Sequence, residues 1–160
     1  MNKTKLIPAL GMSTLLFCAG CSSVQAPTAA PTPKAAAYNG TSDIEVNGVV
    51  PKGKVGATFK TVFEQTDASG MTHIVSQVTR KPGYRSAVHY MTYGTTTCVN
   101  QGQATMELDD GTLETYKAGE CYIMPAGVKG YIANNGKTVQ KLTDFSLVPS
   151  GEHTMVMLEN

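Results

Sequence analysis

The chain contains 160 residues, of which 41% are hydrophobic and 16% are charged, and its formal net charge is +1. This apolar content excludes a wholly disordered chain, and the balanced charge gives no electrostatic basis for binding nucleic acid. The length predicts a single domain with a short appendage.

The N-terminus has the features of a secretory signal. Lys3 and Lys5 precede a mostly apolar stretch at 6–17, which Pro8 and Gly11 interrupt. The stretch is too short and too broken to cross a bilayer permanently as a helix. We therefore predict that it directs export of the chain.

The sequence Cys-Ala-Gly-Cys-Ser at 18–22 follows the apolar stretch. It resembles the lipobox of bacterial lipoproteins, although Cys18 stands where leucine is usual. The resemblance implies that residues 1–20 are a lipoprotein signal peptide and that Cys21 carries three acyl chains, which anchor it durably in the lipid bilayer. Because serine rather than aspartate follows Cys21, it also implies the periplasmic face of the outer membrane. A plain secretory signal cleaved nearby is the alternative.

The next segment is predicted to be a spacer. Residues 22–37 hold six alanines and three prolines in sixteen positions. Such a composition cannot build a core and is typical of a semi-extended linker. We assign 21–43 to the acylated cysteine and an Ala/Pro-rich tether, and 44–160 to the folded domain.

The folded domain is predicted to be all-β. Ala104, Met106 and Leu108 alternate with polar residues, which indicates a half-buried strand at 103–108, and Asp-Gly then connects it to a partner strand at 112–117. Further strands are predicted at 72–79, 139–148 and 154–158. About nine or ten short strands separated by turn signals predict a sandwich or a barrel.

Cys98 and Cys121 are the cysteines of the folded domain. In an oxidising compartment they are a candidate disulfide, but a sequence does not show whether their Cα atoms come within bridging distance. Two buried, unpaired thiols are the alternative.

Two motifs carry a resemblance to a known family. The run Gly83-x5-His89-x-Met91-x3-Thr95-x6-Gly102 resembles the first cupin motif, and Gly119-x5-Pro125-x-Gly127-x2-Gly130-x3-Asn134 resembles the second. The resemblance implies a single-domain cupin, an all-β jelly-roll barrel also called a double-stranded β-helix. A homodimer is expected from the resemblance only.

Metal-binding cupins hold one ion with two histidines and a glutamate of the first motif and a histidine of the second. The corresponding positions here are His89, Met91, Thr95 and Gly130, of which only His89 is a good ligand. A divalent ion needs about three protein ligands even in an open site, so we predict no metal cofactor. A transition metal with unorthodox ligands is the alternative, and His89 and Met91 with Cys98 would suit Cu(I).

Alternation along the strands predicts that His89, Met91 and Thr95 face the lumen, which should be roomier and less charged than a metal-binding one. The candidate ligand-binding residues are His89, Met91, Thr95, Gly130, Arg85 and Tyr131. We predict an envelope lipoprotein whose degenerate cupin domain binds a small molecule without catalysis. The alternatives are an enzyme, either metal-dependent like a dioxygenase or a metal-free isomerase with His89 as base, and a structural or partner-binding envelope protein.

Overall fold

The computed structural model describes residues 35–38 and 43–158. The predicted signal peptide, Cys21 and most of the predicted tether lie outside these ranges. The described residues contain no α-helix, and so no helix long and apolar enough to cross a membrane.

Thirteen strands form in the described part of the chain. They are β1 (Ala35–Tyr38), β2 (Lys54–Val55), β3 (Ala57–Thr66), β4 (Met71–Arg80), β5 (Tyr84–Arg85), β6 (His89–Met91), β7 (Thr95–Gln101), β8 (Gln103–Leu108), β9 (Leu113–Lys117), β10 (Cys121–Met124), β11 (Gly130–Ala133), β12 (Gln140–Pro149) and β13 (Met155–Met157). This is more than the nine or ten expected, because segments as short as β2 and β5 leave no alternation to detect. β1 lies within the stretch assigned to the tether and pairs with β3.

The strands form two sheets that face each other. One has the order β1-β3-β4-β12-β7-β10, and the other has the order β13-β6-β11-β5-β2, with β8 joined to β11 and β9 to β8. The strand pairs are antiparallel except β2 with β5. Strands far apart in the chain therefore pair with each other, such as β4 with β12 and β6 with β13, and this brings residues distant in sequence to the space between the sheets.

The core lies between the two sheets and follows the period of two along each strand. Val78 of β4 is directly opposite Leu142 of β12, and both are buried. On β8 the predicted inward residues Met106 and Leu108 are buried. The turn at Gly102 requires glycine, since its φ is +77° and a Cβ there would lie 2.9 Å from the Val139 carbonyl oxygen.

A disulfide joins the two cysteines of the domain. Cys98 of β7 is directly opposite Cys121 of β10, and their sulfur atoms are bonded. This is the first of the two alternatives that the sequence left open. Both positions alternate with inward residues of their strands, so the bond lies away from the core.

Candidate functional site

A small cavity lies between the two sheets. His89 and Met91 of β6, Thr95 of β7 and Met124 of β10 line it, together with the half-buried Met155 and Met157 of β13. Its volume is about 30 Å³, counted as space open to the centre of a water molecule. Since one water needs about 10–15 Å³ on that measure, the cavity holds about two waters or a molecule of a few heavy atoms.

The structure brings together three of the six predicted site residues. His89, Met91 and Thr95 all face the cavity, as alternation along β6 and β7 predicts. Arg85, Tyr131 and Gly130 do not line it. Arg85 of β5 and Tyr131 of β11 contact each other outside the cavity, and Gly130 of β11 packs against β8.

Arg85 and Tyr131 interact with each other outside the cavity. The Arg85 guanidinium lies 5.8 Å from the centre of the Tyr131 ring, and its Nε donates to the Pro51 carbonyl at 3.2 Å. The Tyr131 hydroxyl donates to the Glu107 carboxylate. Tyr131 lines a separate surface depression with Val49 and Glu107. These contacts join β11 to its surroundings and supply nothing to the cavity around His89.

The expectation of a roomier lumen is wrong at Gly130. A Cβ at this position would lie 2.5 Å from the Glu107 carbonyl oxygen and 2.6 Å from Leu108 Cδ2. Leu108 is buried and fills the space that a side chain at 130 would need. The space that a side chain would need at this position is therefore occupied by the core and is not open to a ligand.

The expectation of a less charged lumen is also wrong, because Arg80 and Asp144 line the cavity. Arg80 is 4% exposed, and its Nη1 donates to Gln140 Oε1 at 2.7 Å. Its Nε has no hydrogen-bond partner among the described residues. Burial lowers the pKa of Arg80, and the negative charge of Asp144 acts in the opposite direction.

Asp144 and Thr97 complete the polar side of the cavity. Thr97 Oγ1 donates to Asp144 Oδ1 at 2.7 Å. Burial raises the pKa of the Asp144 carboxyl, while the Thr97 hydroxyl and the positive charge of Arg80 act in the opposite direction. Sequence reasoning missed Arg80 and Asp144, although each lies two residues beyond a core residue, Val78 and Leu142 respectively. Because residues two apart on a strand share a face, this spacing could have indicated that both point inward.

His89 is held in one orientation and one protonation state. The residue is 5% exposed, and its Nδ1 lies 2.9 Å from the Ala87 carbonyl oxygen. A carbonyl only accepts, so Nδ1 carries the proton and Nε2 has a free lone pair. Burial lowers the pKa of His89 to about 4, with the charge of Arg80 acting in the same direction and the Ala87 carbonyl against it. The imidazole is therefore neutral near pH 7.

The residues at the cupin ligand positions do not fit a divalent ion bound by nitrogen and oxygen. Thr95 Oγ1 lies 2.9 Å from Ser146 Oγ and is neutral, and position 130 has no side chain and no room for one. His73 is exposed and contacts Asp67, and His153 is exposed, so neither replaces a ligand. Within 43–158 no three His, Cys, Asp or Glu side chains come together.

The sequence has no significant match among protein-family models or curated proteins. Many solved structures resemble the fold, and three of them illustrate the likeness. A double-stranded β-helix protein from Klebsiella pneumoniae shares 22% identity over 63% of this chain and 83% of its own, with a TM-score of 0.51. The cupin domain of Cnp3 from Schizosaccharomyces pombe shares 19% identity over 59% of this chain and 65% of its own, with a TM-score of 0.51. The fold is a cupin fold.

A third cupin-fold structure is an oxalate decarboxylase variant from Bacillus subtilis. It shares 16% identity over 64% of this chain, with a TM-score of 0.52, and the match spans 28% of the decarboxylase chain. Likeness at these identities shows the fold alone. The predicted all-β cupin jelly roll is thereby confirmed, and the function has to be argued from the cavity.

Proposed function

We propose that this protein is a lipoprotein of the bacterial envelope whose cupin-fold domain binds a small oxygen-containing molecule. Acylation of Cys21 holds it at the periplasmic face of the outer membrane. The observation that carries the binding role is the buried Arg80 guanidinium: Arg80 lines the cavity, and its Nε has no hydrogen-bond partner among the described residues. A buried donor without an acceptor costs about 1–3 kcal/mol, and a ligand oxygen would remove that cost.

The rest of the cavity supports a ligand with one polar and one apolar side. The polar side has Arg80, Asp144 and the lone pair of His89 Nε2, and the methionines form the apolar side. The volume limits the ligand to about four heavy atoms. At about 1.5 kcal/mol per heavy atom such a ligand reaches at most about −6 kcal/mol, a dissociation constant of tens of micromolar.

Catalysis is less well supported than binding. The structure does supply the tyrosine that a metal-free isomerase would need, since Tyr122 lines the same cavity as His89. However, a histidine whose pKa is lowered to about 4 is a weak base at neutral pH. Burial also raises the pKa of the Tyr122 hydroxyl, which makes it a weak acid.

Thermal unfolding of the full-length protein in detergent tests the binding role. The probes are formate, acetate and acetamide, which separate anionic from neutral acceptors. At about ten times its dissociation constant, a ligand stabilises the fold by about 1.4 kcal/mol. We expect a rise in unfolding temperature with at least one probe, and no rise in His89→Ala or Arg80→Met.

His73→Ala is the matched control, because His73 is exposed and does not line the cavity. It should respond to the probes as the wild type does. Absence of a shift with all three probes would refute the proposal. An unfolded His89→Ala together with a ligand-responsive Arg80→Met would make both residues structural and would refute it as well.

The membrane anchor has an independent test. Cys21→Ser should move the protein from the membrane fraction to the soluble fraction, because the acylated thiol is lost. Intact mass of the wild type should show three acyl chains on a chain beginning at Cys21. A wild-type chain that is shortened near Cys21 but carries no acyl chains would indicate a plain secretory signal.

A further inference from the structure

The wall of the cavity formed by β6 and β13 carries four adjacent donor side chains. In the ladder between these strands, Met155 is directly opposite Met91 and Met157 is directly opposite His89. Opposed residues place their Cβ atoms about 4.5–5.5 Å apart, and residues two apart share a face. All four side chains line the cavity. Three thioethers and one imidazole therefore meet on one patch, which we call the thioether wall.

We propose that the thioether wall, formed by His89, Met91, Met155 and Met157, binds Cu(I). Thioether sulfur and imidazole nitrogen are soft or intermediate donors that Cu(I) accepts, whereas divalent hard cations prefer oxygen. The cavity volume of about 30 Å³ admits a single ion. Met124 of β10 faces the wall from the other sheet and adds a further thioether.

The orientation of His89 distinguishes this group from methionines that merely fill a core. Metal-ligating histidines almost always donate their second ring N–H to a carbonyl, a carboxylate or water. His89 has this arrangement, with Nδ1 on the Ala87 carbonyl at 2.9 Å. The free lone pair of Nε2 belongs to a ring that lines the cavity beside the thioethers.

Charge in the cavity favours a monovalent ion. The four donors are neutral, so Cu(I) would bring one positive charge near Arg80, and the Asp144 carboxyl lies on the same cavity. A divalent ion would bring two charges against the same guanidinium. Cys98 and Cys121 are bonded to each other, so neither offers a thiolate that would compete with the thioethers.

The thioether wall also has a route for an ion to enter. Met91 and His89 are buried, at 3% and 5% exposure, whereas Met155 and Met157 are half-buried. The patch thus runs from the interior toward the surface. Met155 and Met157 are therefore the donors that an entering ion would meet first.

The test is an anaerobic titration of full-length protein in detergent with Cu(I), in competition with the chromophoric chelator bicinchoninate. We expect one Cu(I) per chain in the wild type and a loss of affinity of more than about tenfold in the double variant Met91→Leu/Met155→Leu. Leucine conserves volume, so the variant should fold, at a cost below about 1.5 kcal/mol per site. Thermal unfolding of each variant checks this.

Met106→Leu is the matched control. Met106 is buried to the same 3% as Met91 but does not line the cavity, so Cu(I) affinity should be unchanged. X-ray absorption of the copper-loaded wild type should show sulfur and nitrogen neighbours. Failure to hold Cu(I) against the chelator, equal affinity in the double variant, or a shell without sulfur would overturn the proposal.

This inference does not rest on the proposed small-molecule binding, although both use His89. Arg80→Leu should still bind Cu(I), at least as tightly as the wild type, because Arg80 is not a donor of the thioether wall and its positive charge opposes the ion; it should lose the response to acetate or acetamide. A protein that binds Cu(I) but no probe would refute the proposed function alone. A protein that binds a probe but no Cu(I) would refute this inference alone.

Discussion

Replacement of Gly130 by alanine tests whether the core fills the space beside this position. The added Cβ would lie 2.5 Å from the Glu107 carbonyl oxygen and 2.6 Å from Leu108 Cδ2. Ordinary contacts of this kind are about 3.5–4.0 Å, so atoms must move apart by about 1 Å. The carbonyl belongs to β8, which pairs with β11 next to this site, and therefore cannot shift alone.

Overpacking of this type costs about 1–3 kcal/mol, and the backbone contact places Gly130→Ala at the upper end, near 3 kcal/mol. The lower chain entropy of alanine in the unfolded state offsets about 0.4–1 kcal/mol of that. We therefore expect a net loss of about 2 kcal/mol in the free energy of unfolding.

Urea unfolding followed by circular dichroism measures the loss, and Gly136→Ala is the control. Like Gly130, Gly136 has no positive φ. The nearest atoms to a Cβ at Gly136 would be side-chain atoms at 3.0 Å or more, including those of the flexible Gln103. The stability of Gly136→Ala should therefore stay within about 1 kcal/mol of that of the wild type. If Gly130→Ala were as stable as Gly136→Ala, the space beside position 130 would be open and not filled by Leu108 and the β8 backbone.

Three further predictions concern stability. Reduction of the Cys98–Cys121 disulfide, which spans 23 residues, should lower the free energy of unfolding by about 3 kcal/mol, and unchanged unfolding with dithiothreitol would contradict this. Because the pKa of His89 is lowered to about 4 in the fold, the folded state favours the neutral ring, and stability is lost as the pH falls below 6.5. With copper chelated, the wild type should lose about 2 kcal/mol relative to His89→Gln between pH 7 and pH 4.5. A constant difference in urea unfolding would show that the ring is not desolvated. Burial raises the pKa of Asp144 above 3.8, so the folded state favours the protonated carboxyl. The wild type should therefore lose stability relative to Asp144→Asn as the pH rises above 4. The opposite trend would show that the Thr97 hydrogen bond and the Arg80 charge outweigh burial.

Local patterns in the sequence identified many of the strands. The alternation at 103–108 matches β8, and the segments predicted at 72–79 and 139–148 match β4 and β12 within two residues. These are hydrogen-bonded segments whose inward residues repeat every second position, so a short window contains the information. The two cupin motifs likewise predicted the fold, because they fix the glycine and proline turns between the strands.

The contents of the cavity were predicted only in part. His89, Met91 and Thr95 were placed correctly because they share one face of adjacent strands. Arg80 and Asp144 were missed because a charged residue in a strand is normally assigned to the solvent face. Arg80 and Asp144 point inward because each lies two residues from a core residue of its strand, Val78 on β4 and Leu142 on β12. Which face of each strand is inward is decided only when the two sheets pack.

By itself, the sequence determined an all-β domain and the cupin arrangement of its turns, and it predicted that the usual metal ligands are absent, because these depend on residue type and short-range spacing. Only the tertiary structure decided which side chains surround the positions where those ligands were expected. Met155 and Met157 reach His89 and Met91 because β13 returns to pair with β6, and Leu108 closes the space at Gly130 because β8 packs against β11. Pairing between strands far apart in the chain brings these side chains together, and spacing along the sequence carries no signal of that proximity.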